Sequence, residues 1–164
     1  MQKLTPQQAL QKIKLYCAYQ ERSHQEVENK LYGFGLYRAD VERVLSELIT
    51  ENYLNEERFS KMFAGGKFRM KQWGRIKIAN ELKQKKVSSY NIKIALQEID
   101  EAVYIHTLEK LSLAKWNALK REQYINREVK TTRYLMQRGF ESALIKEALK
   151  KIRQKNNLIE NAAE

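Results

Sequence analysis

The sequence predicts an all-α protein built from three tandem three-helix repeats. Its 164 residues include one Pro and six Gly, so little interrupts helix formation, and strong helix formers such as Leu, Lys, Glu, Gln and Ala are abundant. A pattern of apolar residues returns three times without an insertion, anchored on Leu31, Leu82 and Leu135. The anchors lie 51 and 53 residues apart, a period that is too long for two helices and suits three.

Each copy of the pattern predicts one amphipathic helix. Apolar or small side chains follow the anchor by 5, 10, 13, 14 and 17 residues. The last four positions have the spacing i, i+3, i+4, i+7, which is one face of an α-helix. The positions are Leu36, Val41, Val44, Leu45 and Leu48 in the first copy, Val87, Ile92, Ala95, Leu96 and Ile99 in the second, and Phe140, Ile145, Ala148, Leu149 and Ile152 in the third.

The repeats divide the chain into four segments. We assign residues 1–54 to the first repeat, 55–99 to the second, 100–153 to the third and 154–164 to a C-terminal tail that frays. Units of about fifty residues bury only small cores, so we expect each repeat to be stabilised by packing against its neighbours. A helical array offers a long surface rather than an enclosed pocket, which favours a large partner.

Capping signals define the helices of the first repeat. Thr5 and Gln8 form a capping box around a first-position proline, and Ser23 and Glu26 form a second capping box. Glycine ends the second helix at Gly33. The three predicted helices span about residues 6–21, 24–33 and 37–51.

The second and third repeats begin with similar signals. Asn55 is a predicted N-cap followed by two acidic residues, which the helix dipole favours. The third repeat begins at Asp100. Gly139 ends the eighth helix. The predicted helices span about residues 56–73, 75–86 and 90–99 in the second repeat, then a long helix from 101, 125–138 and 142–152 in the third.

Two adjacent glycines, Gly65 and Gly66, lie inside the fourth predicted helix. Each costs about 1 kcal/mol relative to alanine in a helix interior, so another factor must compensate. A kink or the close approach of another backbone would do so. The sequence leaves a packing reason and a functional reason equally open.

The net charge of +11 is large for a chain of this length and is unevenly distributed. Residues 1–54 sum to zero, residues 55–99 to +7 and residues 100–164 to +4. A concentrated positive field attracts polyanions, which indicates a nucleic acid or an acidic protein surface as partner. The alternative is that these cations only solvate exposed helix faces.

The candidate binding site lies in the basic second repeat. Cations at this density can contact several phosphates together, and an exposed Trp73 could stack on a base. Phe68 is better interpreted as a core aromatic, whereas the sequence leaves the role of Trp73 open. We expect contacts to the nucleic-acid backbone, because no helix resembles one that reads base edges. The candidate residues are Lys67, Arg69, Lys71, Trp73, Arg75, Lys77, Lys83, Lys85 and Lys86.

No catalytic, metal or cofactor site is predicted, so we expect a protein that is not an enzyme. His24 and His106 have no partners at metal-ligand spacing, and Cys17 falls on the apolar line of its helix. No apolar run approaches the roughly 20 residues that cross a bilayer, and residues 1–15 are too polar for a signal peptide. A single cysteine forms no internal disulfide, so we expect a cytoplasmic protein without a membrane partner.

With the repeats laid out, the chain resembles the RecX family, regulators of the RecA recombinase. The resemblance covers about residues 9–152. One departure is Lys86, where the family commonly has glycine. The residues that carry the resemblance are 16–23, Val27, Leu31, Gly35 and Leu36 in the first repeat, Phe59, Phe63, Arg69, Gly74, Ile78, Glu81, Leu82 and Val87 in the second, and Leu135, Arg138, Gly139 and Phe140 in the third.

The resemblance implies an elongated, curved array that lies in the groove of the RecA filament on single-stranded DNA. There it would hinder the ATPase, strand-exchange and co-protease activities of RecA. The expected partners are the RecA filament and DNA, single-stranded and also double-stranded, through backbone contacts, and the expected oligomeric state is a monomer. The alternative is a helical DNA-binding protein that acts in transcription or DNA architecture without RecA.

Overall fold

The computed structural model describes residues 3–163 of the chain. Within that range the chain forms nine α-helices and no β-strand, which confirms the predicted all-α repeat array. The helices are α1 (Pro6–Tyr19), α2 (His24–Gly33), α3 (Arg38–Thr50), α4 (Glu56–Lys71), α5 (Arg75–Gln84), α6 (Ser89–Gln97), α7 (Glu101–Ala118), α8 (Tyr124–Gln137) and α9 (Ser142–Ala162).

The chain divides into two compact units. Unit 1 comprises the chain up to Gly65 together with Asn80–Glu98, and unit 2 comprises Gly66–Ala79 together with the chain from Ile99 onward. Two of the three boundaries therefore fall within α4 and within α5, and the third falls between α6 and α7. The assignment of the chain to three repeats and a tail stays a prediction.

The largest part of the unit 1 core lies among α1, α2 and α3. Both predicted capping boxes are confirmed, because Thr5 Oγ1 accepts from the amide of Gln8 at 3.2 Å and Ser23 Oγ accepts from the amide of Glu26 at 3.1 Å. Burial raises the pKa of the Cys17 thiol to about 11, so the thiol is protonated and unreactive at neutral pH. The buried core residues here are Ala9, Ile13, Cys17, Val27, Leu31, Leu36, Val41, Val44, Leu48 and Leu54.

Each of the three anchors ends its helix in the same turn. The amide five residues after the anchor donates to the anchor's carbonyl, at 3.5 Å for Leu31, 3.1 Å for Leu82 and 3.2 Å for Leu135. The amide four residues after the anchor donates to the carbonyl of the residue that follows the anchor, at 2.9 to 3.0 Å. These two bonds define the Schellman motif, in which the residue five places after the anchor packs back on it. That position is buried in all three copies, at Leu36, Val87 and Phe140.

The Schellman motif requires one residue of each turn in the left-handed region. The φ angle is +84° at Gly35, +92° at Gly139 and +59° at Lys86. Glycine adopts this conformation without a steric penalty, whereas the Cβ of lysine crowds the following carbonyl. Because a left-handed residue cannot continue a helix, α5 ends at Gln84 rather than near Lys86 as predicted.

We expect Lys86→Gly to raise the free energy of unfolding by about 0.5–1 kcal/mol, because glycine removes the left-handed strain. Urea denaturation followed by far-UV circular dichroism measures the change. The matched control is Lys83→Gly, the same chemical change in the last turn of α5, which we expect to lower the free energy of unfolding by about as much. Equal losses in the two variants would show that Lys86 carries no strain.

In unit 2 the first turn of α5 lies against the turn that ends α8. The amide of Gly74 donates to the carbonyl of Arg138 at 2.7 Å, and the amide of Ile76 donates to the carbonyl of Gly139 at 3.0 Å. A Cβ added to Gly74 would lie 2.3 Å from the carbonyl carbon of Gly139, and one added to Gly139 would lie 2.5 Å from the Lys77 nitrogen. The two backbones approach so closely because both positions are glycine.

The glycine pair inside α4 has a different environment. The helix continues through Gly65 and Gly66, and a Cβ added to Gly66 would meet nothing within 4 Å. Close approach of another backbone therefore does not explain Gly66, and that interpretation is wrong for this residue. The pair coincides with the boundary between the two units.

Helix α9 is longer than the sequence indicated. It continues to Ala162, beyond the predicted end near Ile152, because residues 153–162 contain neither Gly nor Pro to stop it. The extension carries two exposed apolar side chains, Leu158 and Ile159.

Candidate nucleic-acid interface

The nine candidate residues belong to two different units. The residues from Lys67 to Lys77 fall in unit 2, whereas Lys83, Lys85 and Lys86 fall in unit 1. Within each unit the structure therefore brings together a subset of the sequence-predicted residues.

The turn between α4 and α5 holds Trp73 between two lysines. The backbone reverses at Gln72, whose φ is +53°, and the amide of Trp73 donates back to the carbonyl of Lys67 at 3.4 Å. The Nζ atoms of Lys67 and Lys77 lie 5.0 Å and 4.5 Å from the centroid of the Trp73 ring, which is half-buried. The indole is thus neither a core aromatic nor a free stacking platform, because cation–π contacts orient it. Phe68 is buried, as predicted.

Arg138 of the third predicted repeat joins this turn. Its Nη1 donates to the carbonyl of Lys71 at 2.8 Å, and its guanidinium lies 5.1 Å from the centroid of the Tyr134 ring. Lys71 is exposed and Lys77 is half-buried, and neither lysine forms an ion pair with any described residue. We call Lys67, Lys71, Trp73, Lys77 and Arg138 the junction cluster.

The junction cluster concentrates positive charge at the end of a helix. Lys67 and Lys71 are four residues apart on α4 and share one face, whereas Arg69 is exposed on another face. Arg69 and Lys71 lie in the last turn of α4, where cations stabilise the carboxyl end of the helix dipole. Cations that the fold brings to one turn, from α4, from α5 and from the end of α8, can contact phosphates together.

Sequence reasoning did not assign Arg138 to the binding site. The sequence contains a signal for it, because Arg138 immediately precedes the Gly139 helix stop, as Lys85 precedes the equivalent left-handed residue Lys86. Contact with Lys71, 67 residues away in the chain, becomes visible only in the fold.

Arg75 has a structural role instead of a solvent-facing one. Its guanidinium forms ion pairs with Glu101 and with Glu141, the latter at 3.4 Å, and lies 3.9 Å from the centroid of the Tyr104 ring. Burial is the largest single influence and opposes the charged form, but the hydrogen bond to Glu101 together with the attraction of Glu101 and Glu141 outweighs it, and the pKa of Arg75 is raised. The cation is thus neutralised within unit 2 and contributes little to binding a polyanion.

Tyr104 links this ion pair to the backbone of α5. Its hydroxyl accepts from the amide of Arg75 at 3.0 Å and donates to Glu141 Oε2 at 2.6 Å. Burial and the adjacent Glu141 carboxylate raise the pKa of Tyr104, so its hydroxyl stays protonated as a donor. The ring packs between Phe68 and Phe140, with centroids 5.7 Å and 5.3 Å away.

In unit 1 one of the three candidate lysines is also neutralised. Lys85 Nζ lies 3.0 Å from Glu26 Oε1 and 5.8 Å from the Phe63 ring centroid. Burial raises the pKa of Glu26, but bonds from Ser23 and Lys85 outweigh it and the net pKa is lowered. Lys83 and Lys86 are exposed and form no ion pair with a described residue.

The part of the chain between residues 3 and 163 contains no group of three or more His, Cys, Asp and Glu residues that could hold a metal ion. No helix among these residues is long and apolar enough to cross a membrane.

Comparisons with known proteins identify the family. The family model described as RecX, second three-helix domain, matches residues 55–96, and the model described as RecX, third three-helix domain, matches residues 103–149. The regulatory protein RecX of Prosthecochloris aestuarii is 34% identical over 134 residues, which are 82% of this chain and 86% of that protein. The regulatory protein RecX of Chlorobium phaeobacteroides is 30% identical over 80% of this chain and 85% of its own length.

Other relatives are longer. The regulatory protein RecX of Bacillus cytotoxicus is 24% identical over 87% of this chain, and the chain spans about half of that relative, 53% of its length. Among solved structures, RecX from Lactobacillus salivarius has a TM-score of 0.84 at 18% identity, covering 91% of this chain and 97% of that one. A second RecX crystal structure has a TM-score of 0.79 at 22% identity, covering 87% and 71%. These structures agree with the fold, and the sequence matches show that the chain belongs to the RecX family.

Proposed function

We propose that this chain is a non-enzymatic regulator that binds the RecA nucleoprotein filament and inhibits its ATPase, strand-exchange and co-protease activities. It acts as a monomer, and the junction cluster contacts the phosphate backbone of the DNA in the filament. The observation that carries the proposal is the match of two successive three-helix domains of the RecX family across residues 55–149.

The junction cluster supports the DNA contact. Lys71 and Lys77 have no acidic partner among the described residues, and two lysines orient Trp73 at the surface. Arg75 and Lys85 are excluded from the contact, because Glu101, Glu141 and Glu26 neutralise them. Phosphate contacts carry no base information, so the binding is independent of sequence.

Inhibition follows from differential affinity. A ligand shifts a conformational equilibrium only by the difference between its affinities for the two states. A helical array that contacts DNA and adjacent RecA protomers binds one filament geometry more tightly than others. It therefore lowers the population of the geometries through which hydrolysis and strand exchange proceed.

The decisive experiment adds the purified chain to RecA assembled on single-stranded DNA and measures the rate of ATP hydrolysis. We expect the rate to fall as the chain approaches a stoichiometric ratio to RecA. Hydrolysis that is unchanged at that ratio, combined with tight, sequence-selective binding to duplex DNA, would contradict the proposal and would favour a DNA-binding protein that acts without RecA.

We expect Lys71→Ala with Lys77→Ala to weaken the salt dependence of DNA binding. Each lost phosphate contact reduces the slope of log K against log salt by about 0.7 on single strands and about 0.9 on duplex. Titration of single-stranded DNA at several salt concentrations therefore measures a slope that is shallower by about 1.4 in the double variant.

The matched control for this prediction is Lys146→Ala with Lys150→Ala. These lysines are exposed on α9 and form no ion pair with a described residue, so the variant loses the same net charge at another place. We expect its slope to equal that of the wild type. Equal slopes in all three proteins would show that the junction cluster meets no phosphate.

A further inference from the structure

A groove of about 450 Å³ runs between α7 and α9 in unit 2. Leu113 of α7 and Ala148, Ile152 and Ile159 of α9 form its apolar part. The C-terminal extension of α9, which carries Ile159, lengthens one wall. Without that extension the groove would be shorter, because Lys155, Asn156 and Ile159 line it.

Apolar side chains in this groove remain exposed. Leu113 is 47% exposed and Ile159 is 68% exposed, although both lie beside residues of the core. Exposed apolar surface that lines a concave region is typical of a site for a partner. The groove lies between two helices and its lining runs from His106 to Asn117 and from Ala148 to Ile159, about three turns, a length that suits the apolar face of one further helix.

The rim of the groove is positively charged. Lys110, Lys151 and Lys155 line it together with a single acid, Glu109. Lys151 forms an ion pair with Glu109, whereas Lys110 and Lys155 form no ion pair with any described residue. Two uncompensated cations beside an apolar floor favour an occupant that is apolar on one face and acidic at its edges.

Other occupants fit less well. A nucleic-acid backbone could meet the cations of the rim, but it has no apolar face to cover the exposed Leu113 and Ile159. A second copy of this chain carries a net charge of +11 and would approach a positive rim. Charge complementarity therefore selects an acidic protein partner.

We propose that the groove between α7 and α9 receives an acidic amphipathic helix of the partner protein. This inference rests on the proposed function, which makes that partner a RecA protomer. The apolar face of the incoming helix covers Leu113 and Ile159, and its acidic side chains pair with Lys110 and Lys155. This contact is separate from the junction cluster, so the chain uses one surface for DNA and another for protein.

The first test replaces the apolar contacts. Leu113→Glu with Ile159→Glu changes exposed side chains, so the fold is retained, as circular dichroism will verify. We expect affinity for the RecA filament to fall about tenfold or more, because two apolar anchors are lost and two like charges are added to the interface. The matched control is Val129→Glu with Met136→Glu on α8, which are exposed to a similar degree, at 50% and 55%, and should leave the affinity unchanged.

The second test identifies the occupant directly. A photoreactive benzoylphenylalanine at position 113 is irradiated in the complex with RecA filaments, and the cross-linked peptide is determined by mass spectrometry. We expect a RecA peptide that is helical and carries acidic residues. A cross-link to DNA, to a second copy of this chain or to a RecA segment without acidic residues would overturn the inference.

The two proposals fail in different ways. A wild-type chain that does not bind RecA filaments overturns the proposed function and the role of the groove together. A wild-type chain that binds and inhibits, while the Leu113→Glu, Ile159→Glu variant binds equally well, overturns only the role of the groove. Lys110→Glu with Lys155→Glu gives an independent result, because we expect it to weaken filament binding and leave the salt slope on free DNA unchanged.

Discussion

Replacing Gly139 by alanine is expected to lower the free energy of unfolding of unit 2 by about 3–5 kcal/mol. The new Cβ would lie 2.3 Å from the Cβ and 2.5 Å from the amide nitrogen of Lys77, and the φ angle of +92° is unfavourable for any residue that has a Cβ. A backbone atom cannot move aside as a flexible side chain can. The amide of Ile76 would therefore also lose its 3.0 Å bond to the carbonyl of residue 139.

The two tryptophans make this prediction measurable. Trp73 and Trp116 both belong to unit 2, so tryptophan fluorescence during urea denaturation follows that unit alone. Gly74→Ala should have a similar effect, because its Cβ would meet the backbone of Gly139 at 2.3 Å.

Gly66→Ala is the matched control for Gly139→Ala. Open space surrounds the new Cβ, and alanine favours a helix interior, so we expect this variant to be more stable by about 0.5–1 kcal/mol. If Gly139→Ala and Gly66→Ala were equally stable, the close approach between the turn after α8 and the first turn of α5 would be absent in solution.

The elements that the sequence predicted well are those with local causes. Capping boxes depend on residues three positions apart, and the repeated apolar pattern follows from helical periodicity, so α1 to α9 begin close to where capping and periodicity indicate. The anchor pattern has a further local cause in the Schellman motif. In that motif the residue five places after the anchor packs on the last turn of the helix, so an apolar residue recurs there in the sequence.

The turn at Lys86 and the end of α9 were harder to predict. A left-handed residue is recognisable in sequence when it is glycine, as at Gly35 and Gly139, and lysine gives no such signal. The segment after Ile152 is mostly polar, with Leu158 and Ile159 as its large apolar residues, which is compatible with either a frayed end or an exposed helix. Composition does not distinguish these two states.

The candidate site stays a prediction, and which of its cations have acidic partners depends on long-range pairing. Arg75 and Glu141 are 66 residues apart in the chain, and Lys85 and Glu26 are 59 residues apart. No local pattern indicates that these two cations are neutralised while Lys71 and Lys77 remain without an acidic partner among the described residues. A count of basic residues therefore does not indicate which cations are neutralised in the fold.

Arg75→Met is expected to lower the free energy of unfolding of unit 2 by about 2–3 kcal/mol, although Arg75 lies in the most basic segment of the chain. Methionine retains the apolar stem but leaves Glu141 half-buried without its cation, and the contact with the Tyr104 ring is lost. Tryptophan fluorescence in urea measures the loss. The slope of DNA affinity against salt should stay the same, because Glu101 and Glu141 already neutralise this charge in the folded protein.

A second substitution separates the charge from the packing. In the unchanged protein the Tyr104 hydroxyl donates to Glu141 at 2.6 Å, and Glu141→Gln keeps an oxygen that can accept this hydrogen bond. The substitution also removes the negative charge that Arg75→Met leaves unpaired. The double variant should therefore be more stable than the sum of the two single losses indicates, with a coupling energy of about 1 kcal/mol or more. Additive losses would mean that Arg75 stabilises unit 2 through its stacking on Tyr104 rather than through its charge beside Glu141. A shallower salt slope in Arg75→Met would instead show that Arg75 contacts phosphate, because only a cation that meets phosphate can change the number of counterions released.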